Sequence, residues 1–408
     1  MHVLYLHQHF TTPCGSGGTR SYEMAQRLLR SGHKVTMVCG SYQGGDTGLT
    51  QAFEKGRRGG TVDGIDVIEF DLSYSNADGL LKRTGIFLRY SLGATGIALR
   101  SKADVLFATS TPLTVGIPAV IGRWLGRHRM VFEVRDLWPE LPRAMGVIKN
   151  PVVLWGMSVL EFMSYRSAHR CVALSPGIRD GILARGVPDD RVAAVPNGCD
   201  LNIFAKAEDR AWRPTEVAKT DLMAVFSGTH GQANGLDAVL DAAAELKARG
   251  RKDIKLVLIG NGKLKPQLVE RATRENLDNV VFHDPVPKQK IAGLLASADI
   301  GMQILADVPA FYDGTSPNKF FDYIATGLPV LNNYPGWLAK AIQSSGCGFT
   351  VPPEDPKAFA DALVSAADNR DQLKEMGHAA RTLAARDFDR DLLGERWVNW
   401  VTGAGKSK

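Results

Sequence analysis

The chain has 408 residues, 44% hydrophobic and 23% charged, with five cysteines and a formal net charge of +6. That length exceeds one ordinary core, so two domains are expected, and the composition is that of a globular protein, not a disordered or fibrous one. Cys14, Cys39, Cys171, Cys199 and Cys347 are scattered, odd in number and without metal-ligand spacing, which argues for a reducing cytoplasm and against a disulfide scaffold.

The opening MHVLYLHQHF runs directly into a strand pattern, with no basic leader and no small-residue cleavage site. Strand patterns near 2–7, 34–39, 65–70, 104–108, 129–134, 170–174 and 191–196 then alternate with helix patterns near 19–31, 80–102, 112–126, 151–168 and 176–185. The uncharged run 105–122 reaches the length of a membrane span, but its threonines, serine and prolines fit a strand, a turn and a short helix instead. After a polar stretch at 205–220 the alternation restarts. Strands are expected near 222–227, 254–259, 279–282, 299–303, 328–332 and 348–351, and helices near 235–249, 264–275, 287–297, 317–326, 336–344 and 356–368. Such alternation implies parallel sheets covered on both faces, so the fold class is α/β with two Rossmann-like domains, 1–204 and 205–387. A last helix over 388–408, bearing Trp397 and Trp400, is expected to return to the first domain. Ligands of open parallel sheets bind beyond the carboxyl ends of the strands, so two such domains facing each other would hold a ligand in the cleft between them.

Charge is uneven: residues 1–199 carry 23 lysines and arginines against 16 acids, and residues 200–408 carry 26 against 27. The excess points to an anionic partner for the first half. Lys82, Arg83, Arg89, Arg100 and Lys102 surround apolar residues of the 80–102 segment, with Arg123, Arg127 and Arg129 nearby. That pattern suits docking on an anionic membrane surface; a solvated basic face is the alternative. No recognition motif for nucleic acid accompanies the charge, so none is expected as a partner.

Four stretches carry candidate chemistry. In GSGGTR, Gly15, Gly17 and Gly18 follow the first strand and would let backbone amides approach a phosphate, while Arg20 would meet an acceptor phosphate; a plain loop is the alternative. FEVRDLWPE places Arg135, Asp136 and Glu140 after a strand. Asp136 would accept a proton from a hydroxyl, unless it merely pairs with Arg135. FSGTHGQANGL repeats the strand–glycine–helix geometry at Gly228 and Thr229, and GNGKLKP offers Lys263 as a phosphate cation. SPNKFFDYIATGLPVLN should open a helix with Ser316 as N-cap and Pro317 as its first residue. Asn318 and Lys319 then lie in the first turn, where a cation and free amides suit a phosphate. Asp322, three residues on along the same face, suits a ribose diol. An ordinary amphipathic helix is the rival reading. His7 and His9 flank Gln8 at a strand end without a third ligand, so His9 is expected to point towards the ligand instead of holding zinc. The Asp387–Asp389 pair is expected to cap the terminal helix, not to bind metal.

In this order, GSGGTR, FEVRDLWPE, VPNGCDLNIF, SGTHGQANGL and PNKFFDYIATGLPV resemble the glycosyltransferases of family four over nearly the whole chain. That family has the GT-B fold and retains anomeric configuration, and the resemblance is strongest to bacterial enzymes that build O-antigen, capsule or exopolysaccharide. It implies a nucleotide sugar held by the second domain and a polyprenyl-diphosphate-linked or glycan acceptor admitted by the first. Asp322 takes the place of the ribose-binding glutamate, Lys319 and the Gly228 backbone neutralise the diphosphate, Val286 contacts the base, and the loop from Tyr312 to Ser316 touches the sugar. Many relatives have two glutamates with seven residues between them. Here they correspond to Gly314 and Asp322, and Thr229 and Asn234 stand where relatives carry arginine and lysine. Lys319 and Lys263 must then carry more of the phosphate charge. The resemblance implies a UDP-sugar donor and no metal or other cofactor. A nucleotide-sugar 2-epimerase of the same fold and a non-catalytic binder are the rival functions.

Overall fold

The computed structural model describes residues 1–15, 18–75, 78–204 and 211–406. The chain forms two units: Met1–Pro196 with Gly314–Ser316 and Asp391–Lys408, and Asn197–Asp313 with Pro317–Arg390. The first unit ends at Pro196, earlier than the 204/205 boundary read from the polar stretch.

In the first unit the strands are β1 (His2–Leu6), β2 (Lys34–Tyr42), β3 (Arg57–Val62), β4 (Ile65–Tyr74), β5 (Val105–Thr109), β6 (Arg129–Val134), β7 (Arg170–Ala173) and β8 (Val192–Ala194). Its helices are α1 (Arg20–Arg30), α2 (Leu80–Arg100), α3 (Gly116–Trp124), α4 (Glu140–Ala144), α5 (Pro151–Ser167) and α6 (Pro176–Ala184). The sheet runs β3-β4-β2-β1-β5-β6-β7-β8, parallel except for the β3–β4 hairpin. The central strands are largely apolar because both faces are covered: Val3, Tyr5, Leu6, Val105, Phe107 and Phe132 are fully buried. Helices α2, α3 and α5 pack side by side over one face. The strand β3 adds to the expected set, since its RRGGTV carries no apolar alternation.

In the second unit the helices are α7 (Leu201–Phe204), α8 (Asp237–Ala248), α9 (Lys265–Arg274), α10 (Lys288–Ser297), α11 (Pro309–Tyr312), α12 (Asn318–Thr326), α13 (Trp337–Ser345), α14 (Pro356–Asp368) and α15 (Arg370–Asp387). The strands β9 (Leu222–Ser227), β10 (Ile254–Ile259), β11 (Val280–His283), β12 (Ile300–Gln303), β13 (Val330–Asn332) and β14 (Gly348–Thr350) form an all-parallel sheet in the order β11-β10-β9-β12-β13-β14. The long α15 was not anticipated. Its buried stripe is made mostly of small residues, Gly377, Ala380 and Ala384 beside Leu373 and Leu383, so its apolar period is faint.

The last helix, α16 (Arg390–Lys406), joins the first unit from Asp391 onwards. Trp397 is fully buried there, edge-on to Phe107 at 4.8 Å and stacked on Tyr5 at 6.2 Å. Arg170 clamps the helix by donating to the Trp400 carbonyl at 2.7 Å, while the Trp400 indole donates to the Cys171 carbonyl at 3.1 Å.

Candidate active site

In the second unit, three loops leave the carboxyl ends of neighbouring strands and bond to each other. The Gly228 amide after β9 donates to the Ile259 carbonyl at 2.9 Å, and the Gly260 amide after β10 donates to the His283 carbonyl at 3.1 Å. A side chain at Gly260 would place its Cβ 1.8 Å from the Gly228 oxygen, and φ there is +146°, so only glycine permits this approach.

Lys319, in the first turn of α12, lies over this corner. A Cβ at Gly228 would sit 3.2 Å from its Cε. Its ammonium is 4.3 Å from the centre of the Phe226 ring and donates to Asn234 Oδ1 at 3.0 Å, while Asn234 donates in turn to the Thr229 carbonyl at 2.7 Å. No carboxylate pairs with it among the described residues. Burial without a counter-ion lowers its pKa from the ordinary 10.5 to about 8. A partly buried cation that lacks an acid, beside the amides of a helix start, has the chemistry to receive an anion.

The helix begins one residue later than expected. Pro317 is extended (φ −73°, ψ 126°) at the cap position, Asn318 opens the helix, and no side chain caps it, so the expected Ser316 cap is corrected. Ser316 groups with the first unit, and Asn318 is exposed. Asp322 is partly buried on the next turn, where its charge helps push the Cys199 thiol up, after burial as the main cause. Lys319 and Asp322 therefore serve different neighbours. Thr229 is exposed, and Val286 lies in the loop after β11.

Lys263 is exposed, and Lys265 is the lysine that turns inward. Lys265 Nζ donates to the Gly260 and His283 carbonyls at 3.0 and 3.2 Å and pairs with Asp284 at 2.7 Å, tying two loops together. His230, also missed, is fully buried with neither ring nitrogen hydrogen-bonded. Desolvation, then Lys265 and Lys319, lower its pKa to about 4, so it is neutral at pH 7.

In the first unit the chemistry gathers at the ends of β1, β5 and β6. Glu133, inside the VFEV strand, is fully buried. Arg20 donates to it through Nε at 3.1 Å and Nη2 at 2.9 Å, Thr109 donates at 2.8 Å, and Arg135 lies 3.4 Å away. Burial alone would raise the Glu133 carboxyl, but Arg20 and Arg135 outweigh it and hold it below the usual value. Arg20 also donates to the Val195 and Pro196 carbonyls at 2.9 Å each. It is 7% exposed, so it is placed as a buried strut and not to meet an acceptor.

Arg135 turns away from Asp136. It donates to Thr109 Oγ1 at 2.7 Å and Ser21 Oγ at 2.8 Å, and Ser21 also accepts from the Tyr5 hydroxyl at 3.1 Å. Among the described residues, Asp136 receives only a long side-chain contact from Thr111 at 3.4 Å, and desolvation raises its carboxyl against the pull of Arg135. A weakly solvated, weakly bonded carboxylate is a proton acceptor of raised basicity. His9 packs among Tyr42, Tyr74 and Phe87, and desolvation, with Arg135 and Arg83, lowers it to about 4. Near it, His7 Nδ1, both amide atoms of Gln8 and His9 Nε2 are buried without hydrogen bonds. Such atoms are costly unless water or a ligand completes them. Glu140 stands apart: it is exposed, receives Arg185 at 2.8 Å, and lines a cavity to which neither Arg135 nor Asp136 contributes. Gly18 is exposed before α1, and Gly17 lies outside the described residues. Among the described residues, no three His, Cys, Asp or Glu side chains are grouped to hold a metal.

Two Rossmann-like units in one chain are the architecture of the GT-B glycosyltransferases. Residues 15–198 match the family model described as "Glycosyl transferase 4-like domain", and residues 221–369 match "Glycosyl transferases group 1". The chain belongs to these family-four-like glycosyltransferases. It is 30% identical over 209 residues to the D-inositol 3-phosphate glycosyltransferase of Nocardia farcinica, a match covering 49% of this chain and 45% of that protein. It is 22% identical over 347 residues to the Pseudomonas aeruginosa protein named "Probable glycosyltransferase WbjE", covering 83% and 84% of the two chains. The Anabaena HepE structure, solved in complex with UDP-glucose, superposes with a TM-score of 0.67 at 14% identity, covering 99% of this chain and all of that one.

Proposed function

We propose that the protein is a retaining, metal-independent hexosyltransferase or N-acetylhexosaminyltransferase. It would move the sugar of a UDP-sugar to a lipid-linked or glycan acceptor in cell-surface polysaccharide synthesis. One observation carries the reading: Lys319, half-buried and without an acid, rests on the Gly228 loop at the start of α12. As the sugar–phosphate bond breaks, negative charge grows on the leaving diphosphate. Lys319 and the amides of the Gly228 loop and of α12 would stabilise that charge, each such donor contributing on the order of 3 kcal/mol. Asp322 would take the ribose hydroxyls and Val286 the base edge. Asp136 would partner the acceptor hydroxyl during front-face attack. The UDP-glucose in the similarly folded HepE supports the choice of nucleotide.

The first unit would work at an anionic membrane surface. Between residues 79 and 132, eight lysines and arginines face one acid, Asp104. The outer surfaces of α2, α3 and α5 expose Leu81, Leu92, Trp124, Leu125, Val152 and Trp155, each more than half accessible. Exposed apolar side chains among cations fit the headgroup region of an anionic leaflet. No described helix is long and apolar enough to cross a membrane.

A thermal-shift screen against UDP-, GDP- and ADP-sugars, followed by turnover with and without EDTA, tests the donor site. UDP-sugars should raise the melting temperature, and turnover should survive the chelator. Lys319→Ala should lower turnover at least a hundredfold. Donor consumption without any acceptor would indicate an epimerase instead.

A further inference from the structure

A cavity of about 470 Å³ opens in the first unit between α4, the second half of α5 and the chain leaving α6. Of the residues assigned above to donor, acceptor or proton transfer, only Glu140 lines it. Four arginines do so as well: Arg143, Arg166, Arg185 and Arg191. Arg185 is engaged, reaching Glu161 and Glu140 at 2.8 Å each. Arg191 holds the backbone carbonyls of Ala168 and His169. Arg143 and Arg166 are exposed, and their guanidinium groups make no hydrogen bond or ion pair with any described residue. Two acids against four arginines leave the cavity positive.

Each free guanidinium offers a planar fork of donors, the geometry that grips phosphate oxygens in pairs. The volume is that of a small-molecule site. Part of the wall is apolar, from Phe162 and Pro188, and α5 continues from it into the exposed Trp155, Val159 and Met163. A free phosphate ion would leave those side chains in water, whereas a lipid would cover them. We propose that this cavity binds the phosphate headgroup of an anionic phospholipid while the outer face of α5 enters the same leaflet. The inference rests on the membrane-docking part of the proposed function and adds a specific headgroup site to it.

The test is flotation with phosphatidylcholine vesicles, with and without phosphatidylglycerol, at moderate salt. It uses the full chain and the double variant Arg143→Lys/Arg166→Lys. The lysine pair keeps the charge and removes the forks, so a diffuse electrostatic patch would not register the change. The expected result is binding that requires phosphatidylglycerol and falls about tenfold in the double variant, with an unchanged melting temperature because both residues lack partners. Undiminished binding of the variant would overturn the cavity site while leaving membrane docking in place. Absence of any vesicle binding by the full chain would overturn both. Stabilisation by glycerol 3-phosphate without vesicle binding would make this a free-phosphate site and overturn the lipid assignment. The UDP-sugar thermal shift, run in parallel, reports on the donor site alone, so loss of lipid binding is separable from failure of the transferase reading.

Discussion

Lys319 is kept charged at a cost to the fold. Its pKa falls from 10.5 in the open chain to about 8 in the folded one, because burial strips water from the ammonium and supplies no acid. The unfolded chain therefore holds this proton more tightly. Below pH 8 the group opposes folding, and the penalty fades between about 8 and 10.5 as both forms lose the proton. A bound diphosphate reverses the balance by providing the missing counter-charge. Affinity for UDP should thus be flat between about pH 7 and 8, where the terminal phosphate is already fully ionised, and weaken roughly tenfold per unit above that, as titration calorimetry would show. Lys319→Met should remove that pH dependence and weaken UDP binding at least tenfold. It should also raise the melting temperature of the free protein by a few degrees, since a partly buried charge without an acid is gone. A variant less stable than the parent would mean that the lysine is a packing element and not a receptor. Arg20 illustrates the opposite case. Its charge is matched by Glu133 and two carbonyls, so its burial is structural.

At the scale of elements, the parallel strands were legible because a strand covered on both faces is predominantly apolar, as in the short runs LMAVFS and IKLVLI. The β3 strand was not, since two arginines and two glycines carry no period; its trace was the Asp63–Gly64 turn, where both residues have positive φ (49° and 84°). The placement of Lys319 in the first turn of a helix and of Asp136 just beyond a strand was readable from the sequence. The choice between Lys263 and Lys265 was not, because it depends on where the chain after β10 begins to coil. Glu133 left a signal that was passed over: a charge inside VFEV must be buried, and a buried charge must have partners. The β9 and β10 loops show how tightly this geometry is set. Gly260→Ala would drive its Cβ into the Gly228 carbonyl and force the two loops apart. The expected outcome is a loss of about 1–3 kcal/mol in chemical denaturation together with at least tenfold weaker UDP binding. Weaker folding with unaltered UDP affinity would show that the diphosphate does not rest on this corner.

At the scale of the molecule, the chain builds most of its first unit, leaves at Pro196, completes the second, and contributes its final helix to the first. The first sheet would otherwise expose the face of β1 and β5 that Trp397 covers through Tyr5 and Phe107. The early unit therefore depends on residues at the far end of the sequence, whereas the Lys319 corner draws only on residues between 226 and 319. This separates stability from donor binding. Trp397→Ala removes a fully buried indole and should cost about 3–5 kcal/mol, lowering the melting temperature on the order of 10 °C. Measured well below that transition, its affinity for UDP should stay within about threefold of the parent, the range expected for distant, independent sites. A drop as large as that of Lys319→Met would place the terminal helix among the determinants of the donor site, and the separation would fail.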